Sequence, residues 1–362
     1  MNGGIMLIGL GELGNHILNF LVRTSGVKKI TTVDINETRV TCLTYQAMYG
    51  AFQEGYFPDI RFITADLLDV DGTTSLLREA KPEVICSTAT LQGAYCPPLT
   101  TEVLREMEAR GLGGRASRMA LTLLLPYKLM QAVKKSGIDT KVVITNFPDV
   151  TCPILGKVGL APIVGGGNLD LRTPWMKKIV SDDLTVPARN VSVFLVTHHA
   201  WLYHFGECPY WIKILVGGDD VTNEFPPEKL FPKLSDLHRR TYIHLGGPLG
   251  QWGRFYQQAI ASSFFRNVLA LYFDTGEIVN APGPNGLPGG YPVRLSAKGA
   301  EVYLPKEITL DEAIKINEEG GKYDGIERIE ENGTLVTTDG SYLEAKDIED
   351  TAIKVLSILK GK

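Results

Sequence analysis

The residues with chemistry to offer begin in the run Ile8-Gly9-Leu10-Gly11-Glu12-Leu13-Gly14. A G-x-G-x-x-G run at a strand-to-helix junction serves a dinucleotide. Gly9 permits the tight turn, Gly11 lets the backbone approach a pyrophosphate, and Gly14 lets the helix pack closely on the strand. The amides at the helix start, near Glu12 and Leu13, and the positive end of the helix dipole attract the phosphates. Twenty residues after Gly14, Asp34 supplies a carboxylate at the distance expected of a ribose 2′-hydroxyl ligand. A carboxylate there repels a 2′-phosphate, and the nearest following arginine is Arg39. NAD is therefore expected rather than NADP.

Such a site needs strands to carry it. Ile5–Ile8, Lys29–Ile35, Ile60–Ala65, Val84–Ala89 and Lys141–Asn146 read as buried strands, with helices expected at Asn15–Thr24, Glu37–Tyr49 and Arg118–Ser136. Strands separated by helices imply right-handed crossovers and a parallel sheet covered on both faces. A sixth strand is expected at Ala161–Gly165 and a helix at Leu169–Asp183. Beyond these, Asn190–Val196 and Trp211–Val216 read as antiparallel strands, and Leu234–Asp274 as helix-rich. The Ala297-Lys298-Gly299 turn joins strands at Tyr291–Leu295 and Glu301–Leu304. The fold class is α/β: a Rossmann doubly wound sheet over residues 1–151, then an α+β catalytic domain over 152–362.

The bulk numbers agree with a two-domain enzyme. The chain has 362 residues, 44% hydrophobic and 22% charged, enough for ordinary cores. A net charge of −4 without a basic cluster argues against nucleic acid. Five scattered cysteines with no C-x-x-C pair imply reduced thiols, hence a cytoplasmic protein. Neither a signal peptide nor a membrane span is expected.

Several later blocks resemble the lactate/malate dehydrogenase family. Thr145-Asn146-Phe147-Pro148-Asp149-Val150 is similar to its Asn-Pro-Val-Asp segment, and Gly166-Gly167-Asn168-Leu169-Asp170-Leu171-Arg172 to its helix start with aspartate and arginine. Val193 to His199 resembles the strand that ends in the catalytic histidine. Gly289-Gly290-Tyr291-Pro292-Val293 and Ala297-Lys298-Gly299-Ala300-Glu301 resemble its closing hairpin. The resemblance implies hydride transfer between NAD and a 2-hydroxyacid or 2-oxoacid. His199 would be the general base and Asp170 its orienting partner. Asn146 would bond the substrate oxygen and border the nicotinamide, with Thr88 and Ala89 also in the cofactor set. Arg172 would anchor the substrate carboxylate and Arg118 polarise its carbonyl. The resemblance further implies a homodimer or homotetramer.

Three departures qualify the match. Asp170 and Arg172 are one residue closer than the family spacing, which rotates Arg172 by about 100° of helix. The segment Thr90–Ser117 is long; it reads as a lid with a helix at Thr101–Arg110, a hinge at Gly111-Leu112-Gly113-Gly114, and Arg110 and Arg115 available to a substrate. An aromatic rim of Trp201, Tyr203 and Phe205 suits a bulkier acid. The tail adds helices at Leu310–Glu318 and Asp347–Leu359 and an extra hairpin about Ile326–Thr338, within an insertion near 320–343. Two other readings stay open. One is an NAD- and metal-dependent glycosidase-like hydrolase using His198, His199 and His204 with Cys152 or Cys208, although that group's cysteine-histidine ligand pattern is missing after the Asn-Pro segment. The other is a non-catalytic NAD-binding protein.

Overall fold

The computed structural model describes residues 3–91, 99–240 and 253–360. The first half alternates strand and helix: β1 (Ile5–Ile8), α1 (Glu12–Leu21), β2 (Lys29–Asp34), α2 (Glu37–Gln53), β3 (Asp59–Thr64), α3 (Val70–Ala80), β4 (Val84–Ser87), α4 (Thr101–Ala109), α5 (Arg115–Ser136), β5 (Lys141–Ile144), α6 (Pro148–Lys157) and β6 (Val164–Gly165). The six strands form one parallel sheet in the order β3-β2-β1-β4-β5-β6. The order reverses between β2-β1 and β4, opening a crevice at the carboxyl ends of β1 and β4. Every residue of β1 and β4 is buried, as a strand covered on both faces requires. The sixth strand lies past residue 151, so this sheet draws on chain from beyond the expected domain boundary.

The second half continues with α7 (Asn168–Leu184), β7 (Val191–Thr197), β8 (Tyr210–Val216), β9 (Asp219–Asp220), α8 (Pro227–His238), α9 (Gly253–Tyr272), β10 (Glu277–Pro282), β11 (Gly290–Ser296) and β12 (Gly299–Val302). These strands form an antiparallel sheet, β10-β11-β7-β8-β9, with β12 paired to β11. The hairpin at Ala297-Lys298 is present, closing on the Ser296–Gly299 pair. Helix α9 joins the two halves. Phe264, Val268 and Leu271 share a buried cluster with Ile17, Leu18 and Leu21 of α1.

The tail runs through α10 (Leu310–Gly321), β13 (Ile326–Ile329), β14 (Leu335–Thr337), β15 (Tyr342–Leu343) and α11 (Ile348–Lys360). Its three strands form a small sheet of their own. The extra hairpin and the long segment before α5, two separate departures in sequence, pack on one another. Val103 and Met107 of α4, Leu112, and Ala120 and Leu124 of α5 share a buried cluster with Ile326, Leu335, Leu343, Ala352 and Val355.

That packing corrects the hinged-lid expectation. Gly114 lies against Ser341, and the first amides of α5 are clamped by the β14–β15 turn. Arg115 N donates to Asp339 Oδ2 (2.9 Å) and Ala116 N to Ser341 Oγ (3.1 Å). A helix start normally leaves such amides unsatisfied, and here side chains more than 220 residues away cap them. The stretch 92–98 of the expected lid and 241–252 of the helix-rich region lie outside the described residues.

Candidate active site

The glycine turn follows β1 as expected. Gly9 takes φ +89°, and Gly14 is needed for close approach: a Cβ there would stand 2.0 Å from the Gly9 carbonyl oxygen. Gly11 differs from both. Its backbone is extended (φ −67°, ψ −169°), and a Cβ on it would meet nothing within 4 Å among the described residues. Neither conformation nor packing among the described residues demands glycine at 11. What the missing side chain leaves is open space at the start of α1, of the kind in which a helix N-terminus can take an anion. Asp34 is buried at the end of β2, where Oδ2 accepts from Leu10 N (2.7 Å) and Oδ1 from Asn36 N (2.9 Å). The carboxylate is thereby fixed beside the turn with acceptor capacity left. Arg39 Nη1 stands 3.6 Å from Asp34 Oδ1, closer than the sequence implied.

A cleft of about 500 Å³ runs from this turn into the second half. Gly11, Glu12 and Leu13 line it together with Thr88, Asn146 and His199. Helix α9 contributes Gln257, Ile260 and Phe264 to the wall. Thr88 Oγ1 donates to the Gly9 carbonyl (2.6 Å), tying the ends of β1 and β4 together. Asn146 donates its amide to the Ala89 carbonyl (3.1 Å), while its Oδ1 is buried with no partner among the described residues. An unmatched buried acceptor of this kind is costly unless a ligand completes it. The residue after it, Phe147, has φ +42° and turns its ring against His199 (5.3 Å between centroids). A left-handed bulky residue costs about 1–3 kcal/mol, and such strain collects at functional sites.

His199 follows β7. Its amide donates to Asp149 Oδ1 (3.0 Å), and its Nδ1 lies 2.9 Å from Asp324 Oδ2. His198 Nδ1 approaches the same oxygen at 3.1 Å. Burial opposes protonation of His199, but the hydrogen bond and charge of Asp324 and the charge of Asp149 outweigh burial and the Arg172 charge. Its pKa is raised above the ordinary 6.5. Burial would likewise raise the Asp324 carboxyl, yet the two imidazoles hold it well below the carboxylate range.

Asp324 stands where Asp170 was expected, and Asp170 must be corrected. Its Oδ2 accepts from Ser263 Oγ (2.6 Å) and from the Arg266 guanidinium, and among the described residues it makes no bond to His199. Ser263 also accepts from Gly167 N (2.9 Å), so Asp170 fastens the start of α7 to α9. The arginines need correction too, since none lines the described cleft. Arg172 is buried with its guanidinium 4.3 Å above the Trp175 ring, though its charge reaches His199 and His238. Arg115, expected free for substrate, donates from Nη1 to the Asp324 carbonyl (2.8 Å). Arg110 pairs with Glu106 (2.5 Å). Arg118 makes no hydrogen bond or ion pair among the described residues and precedes Thr122 of the cleft wall by one helical turn.

The aromatic rim is mostly core. Trp201 is fully buried, packed on Phe205 (4.7 Å) and Phe231 (5.6 Å). Only Tyr203 is exposed, its ring 5.7 Å from that of His199. The thiols suggested for a metal are poorly placed to ionise. Burial pushes Cys208 up to about 12, and burial with the Asp149 charge raises Cys152 well above the thiol range. Among the described residues no three His, Cys, Asp or Glu side chains gather as a metal site. No described helix is long and apolar enough to cross a membrane.

Sequence reasoning missed Asp324, Gln257 and the anchoring role of Asp149. Asp149 stood inside a recognised block, whereas Asp324 sits in an unremarkable Lys322-Tyr323-Asp324-Gly325 turn with no local signal.

No protein-family model matches the chain, and no curated protein matches it. Solved structures do. A lactate dehydrogenase from a Medee basin deep-sea metagenome library superposes with a TM-score of 0.62 at 14% identity, covering 90% of this chain and 98% of that one. The Aeropyrum pernix malate dehydrogenase gives 0.61 at 18% identity, covering 88% and 96%. The Cryptosporidium parvum malate dehydrogenase gives 0.57 at 15%, covering 99% and 100%. The parallel and antiparallel sheets match the layout of these enzymes along nearly their whole length, and the chain has the lactate and malate dehydrogenase fold.

Proposed function

We propose that this chain is an NAD-dependent dehydrogenase that interconverts a 2-hydroxyacid and its 2-oxoacid, with His199 as the proton-transferring group. The observation that carries the reading is the single cleft joining the open space at Gly11 to Asn146 and His199. Gly11 and the amides at the start of α1 would hold the pyrophosphate, Asp34 the adenosine ribose, and Thr88, Ala89 and Asn146 the nicotinamide end. NAD, when bound, supplies the hydride acceptor. With Nδ1–H given to Asp324, the His199 ring has Nε2 as the atom that takes a hydroxyl proton in oxidation and returns it in reduction. A raised pKa keeps the protonated form available near neutral pH, which suits reduction of a carbonyl. Arg118 is the side chain we assign to the substrate carboxylate, because its charge is uncommitted beside Thr122.

The test is turnover of NADH over oxaloacetate, pyruvate and branched or aromatic 2-oxoacids, with wild type and Arg118→Gln. Turnover of one or more acids, with KM for the acid raised by about tenfold or more in Arg118→Gln, is expected. A specific observation favours a second reading, a non-catalytic NAD-binding protein: among the described residues no arginine or lysine lines the cleft. NADH binding without turnover of any 2-oxoacid would select it.

A further inference from the structure

The tail insertion reaches the candidate site with one carboxylate. After α10 the chain makes a single 3-10 turn, Lys322–Asp324, and reverses at Gly325 (φ +81°). This turn is held from three sides. Tyr323 Oη donates to the Glu207 carbonyl (3.0 Å), Arg115 Nη1 to the Asp324 carbonyl (2.8 Å), and Thr338 N to the Gly325 carbonyl (3.0 Å). Glycine at 325 is required twice over, by its φ and because a Cβ would stand 2.5 Å from the Arg115 guanidinium. A segment needed only to cover the surface has no use for a backbone fixed this closely behind one side chain.

That side chain is Asp324, four-fifths buried, with Oδ2 2.9 Å from His199 Nδ1. The neighbouring His198 Nδ1 also approaches it, at 3.1 Å, and lies 3.3 Å from the amide of Ala200. His199 makes the shorter contact of the two, and of the two rings it is the one that lines the cleft. Among the described residues, the remaining ionisable groups about His199 include Asp149 from α6, Arg172 from α7, Tyr203 from the turn after β7, and Arg115 from α5 behind Asp324. Of the carboxylates among the described residues, Asp149 accepts the backbone amide and Asp324 meets the ring.

We propose that Asp324 is the positioning residue of His199, fixing the Nδ1–H tautomer and the ring's orientation, and that Arg115 holds Asp324 in place. The tail insertion is then part of the active site and has taken over the task first expected of Asp170. The proposal deepens the dehydrogenase reading, but its primary test does not depend on turnover. A carboxylate on Nδ1–H favours the imidazolium; an amide does so far less.

The experiment is an NMR titration of the His199 imidazole in the whole protein, with the tautomer read from its nitrogen shifts, in wild type, Asp324→Asn and Arg115→Ala. We expect neutral wild-type His199 to be the Nδ1–H tautomer, and Asp324→Asn to lower its proton affinity by about tenfold or more. Arg115→Ala, which removes an exposed side chain and keeps the carboxylate, should shift the resonance in the same direction by a smaller amount. It stands as the test should Asp324→Asn fail to fold. Unchanged tautomer and proton affinity in these variants would overturn the proposal.

Kinetics separate it from the reading it rests on. In Asp324→Asn, kcat should fall by about 10- to 1,000-fold with KM for NADH unchanged, part of the 10²–10⁴ that a positioned acid–base group supplies. Altered His199 signals in a protein that turns over no 2-oxoacid would sink the dehydrogenase reading and leave Asp324 assigned. Wild-type turnover in folded Asp324→Asn would do the reverse.

Discussion

Replacing Gly11 by alanine separates the space the fold needs from the space a cofactor needs. The backbone at 11 is extended, a conformation open to any residue, and among the described residues the new methyl touches nothing within 4 Å. Gly11→Ala should therefore change stability by no more than about 0.5 kcal/mol. In the proposed NAD complex the same methyl would occupy the pyrophosphate approach. Overpacking of one methyl costs about 1–3 kcal/mol, and at about 1.4 kcal/mol per decade this raises the Kd for NADH roughly 5- to 150-fold. Gly14→Ala is the opposite control. Its Cβ would lie 2.0 Å from a backbone oxygen, so the helix or the turn must move. That variant should lose about 3 kcal/mol of stability before any ligand is added. Thermal melting reads the first quantity and a fluorescence titration with NADH the second. Gly11→Ala protein that is stable and binds NADH within about twofold of wild type would refute the reasoning, because the open space would then hold no phosphate.

Three further outcomes follow from the same geometry. Asp34→Ser should narrow the preference for NADH over NADPH by about tenfold or more without any added arginine, since Arg39 already stands 3.6 Å from the carboxylate; comparative Kd values check it. Asp170→Asn should cost about 1–3 kcal/mol in melting experiments by weakening the Ser263 and Arg266 contacts, yet leave the pH profile of turnover unmoved. The pH dependence of stability should carry the Asp324–His199 pair. His199 is raised above 6.5, so its contribution is full below about 6.5 and lost as pH rises through the folded value. Asp324 is depressed below 3.8, so its contribution is present above 3.8 and lost only as pH falls through the lower folded value. The melting difference between wild type and Asp324→Asn should thus be largest at about pH 5–6 and shrink above neutrality.

The Rossmann half was legible because its signals are local. A buried β-branched run, three glycines and an aspartate at fixed spacing specify β1, the turn and the end of β2 without reference to the rest of the chain. β10 was hidden for a physical reason: Pro282 lies in it, which is tolerated because β10 is an edge strand, yet the Pro/Gly-rich stretch from Ala281 reads as a turn. The aromatic run from Trp201 to Phe205 has the same composition whether it lines a rim or fills a core, and only packing reveals that Trp201 is buried. Asp324 was illegible because its partner is 125 residues away. The family position at Asp170 offered a plausible carboxylate, but no local pattern shows that Ser263 and Arg266 claim it. Asn146, Gly11 and His199, each singled out by a local signal, line one cleft.

The central claim is that His199 transfers a proton while hydride passes between the nicotinamide and a 2-oxoacid carbon. A single-turnover reaction of enzyme with NADH deuterated at the transferring position tests it most directly, in wild type and His199→Asn with a 2-oxoacid in excess. The account predicts deuterium at C2 of the hydroxyacid formed by wild type. It further predicts a rate lower by about two to four orders of magnitude in His199→Asn, with NADH bound equally well. A wild-type rate in His199→Asn, or a product free of deuterium, would contradict it.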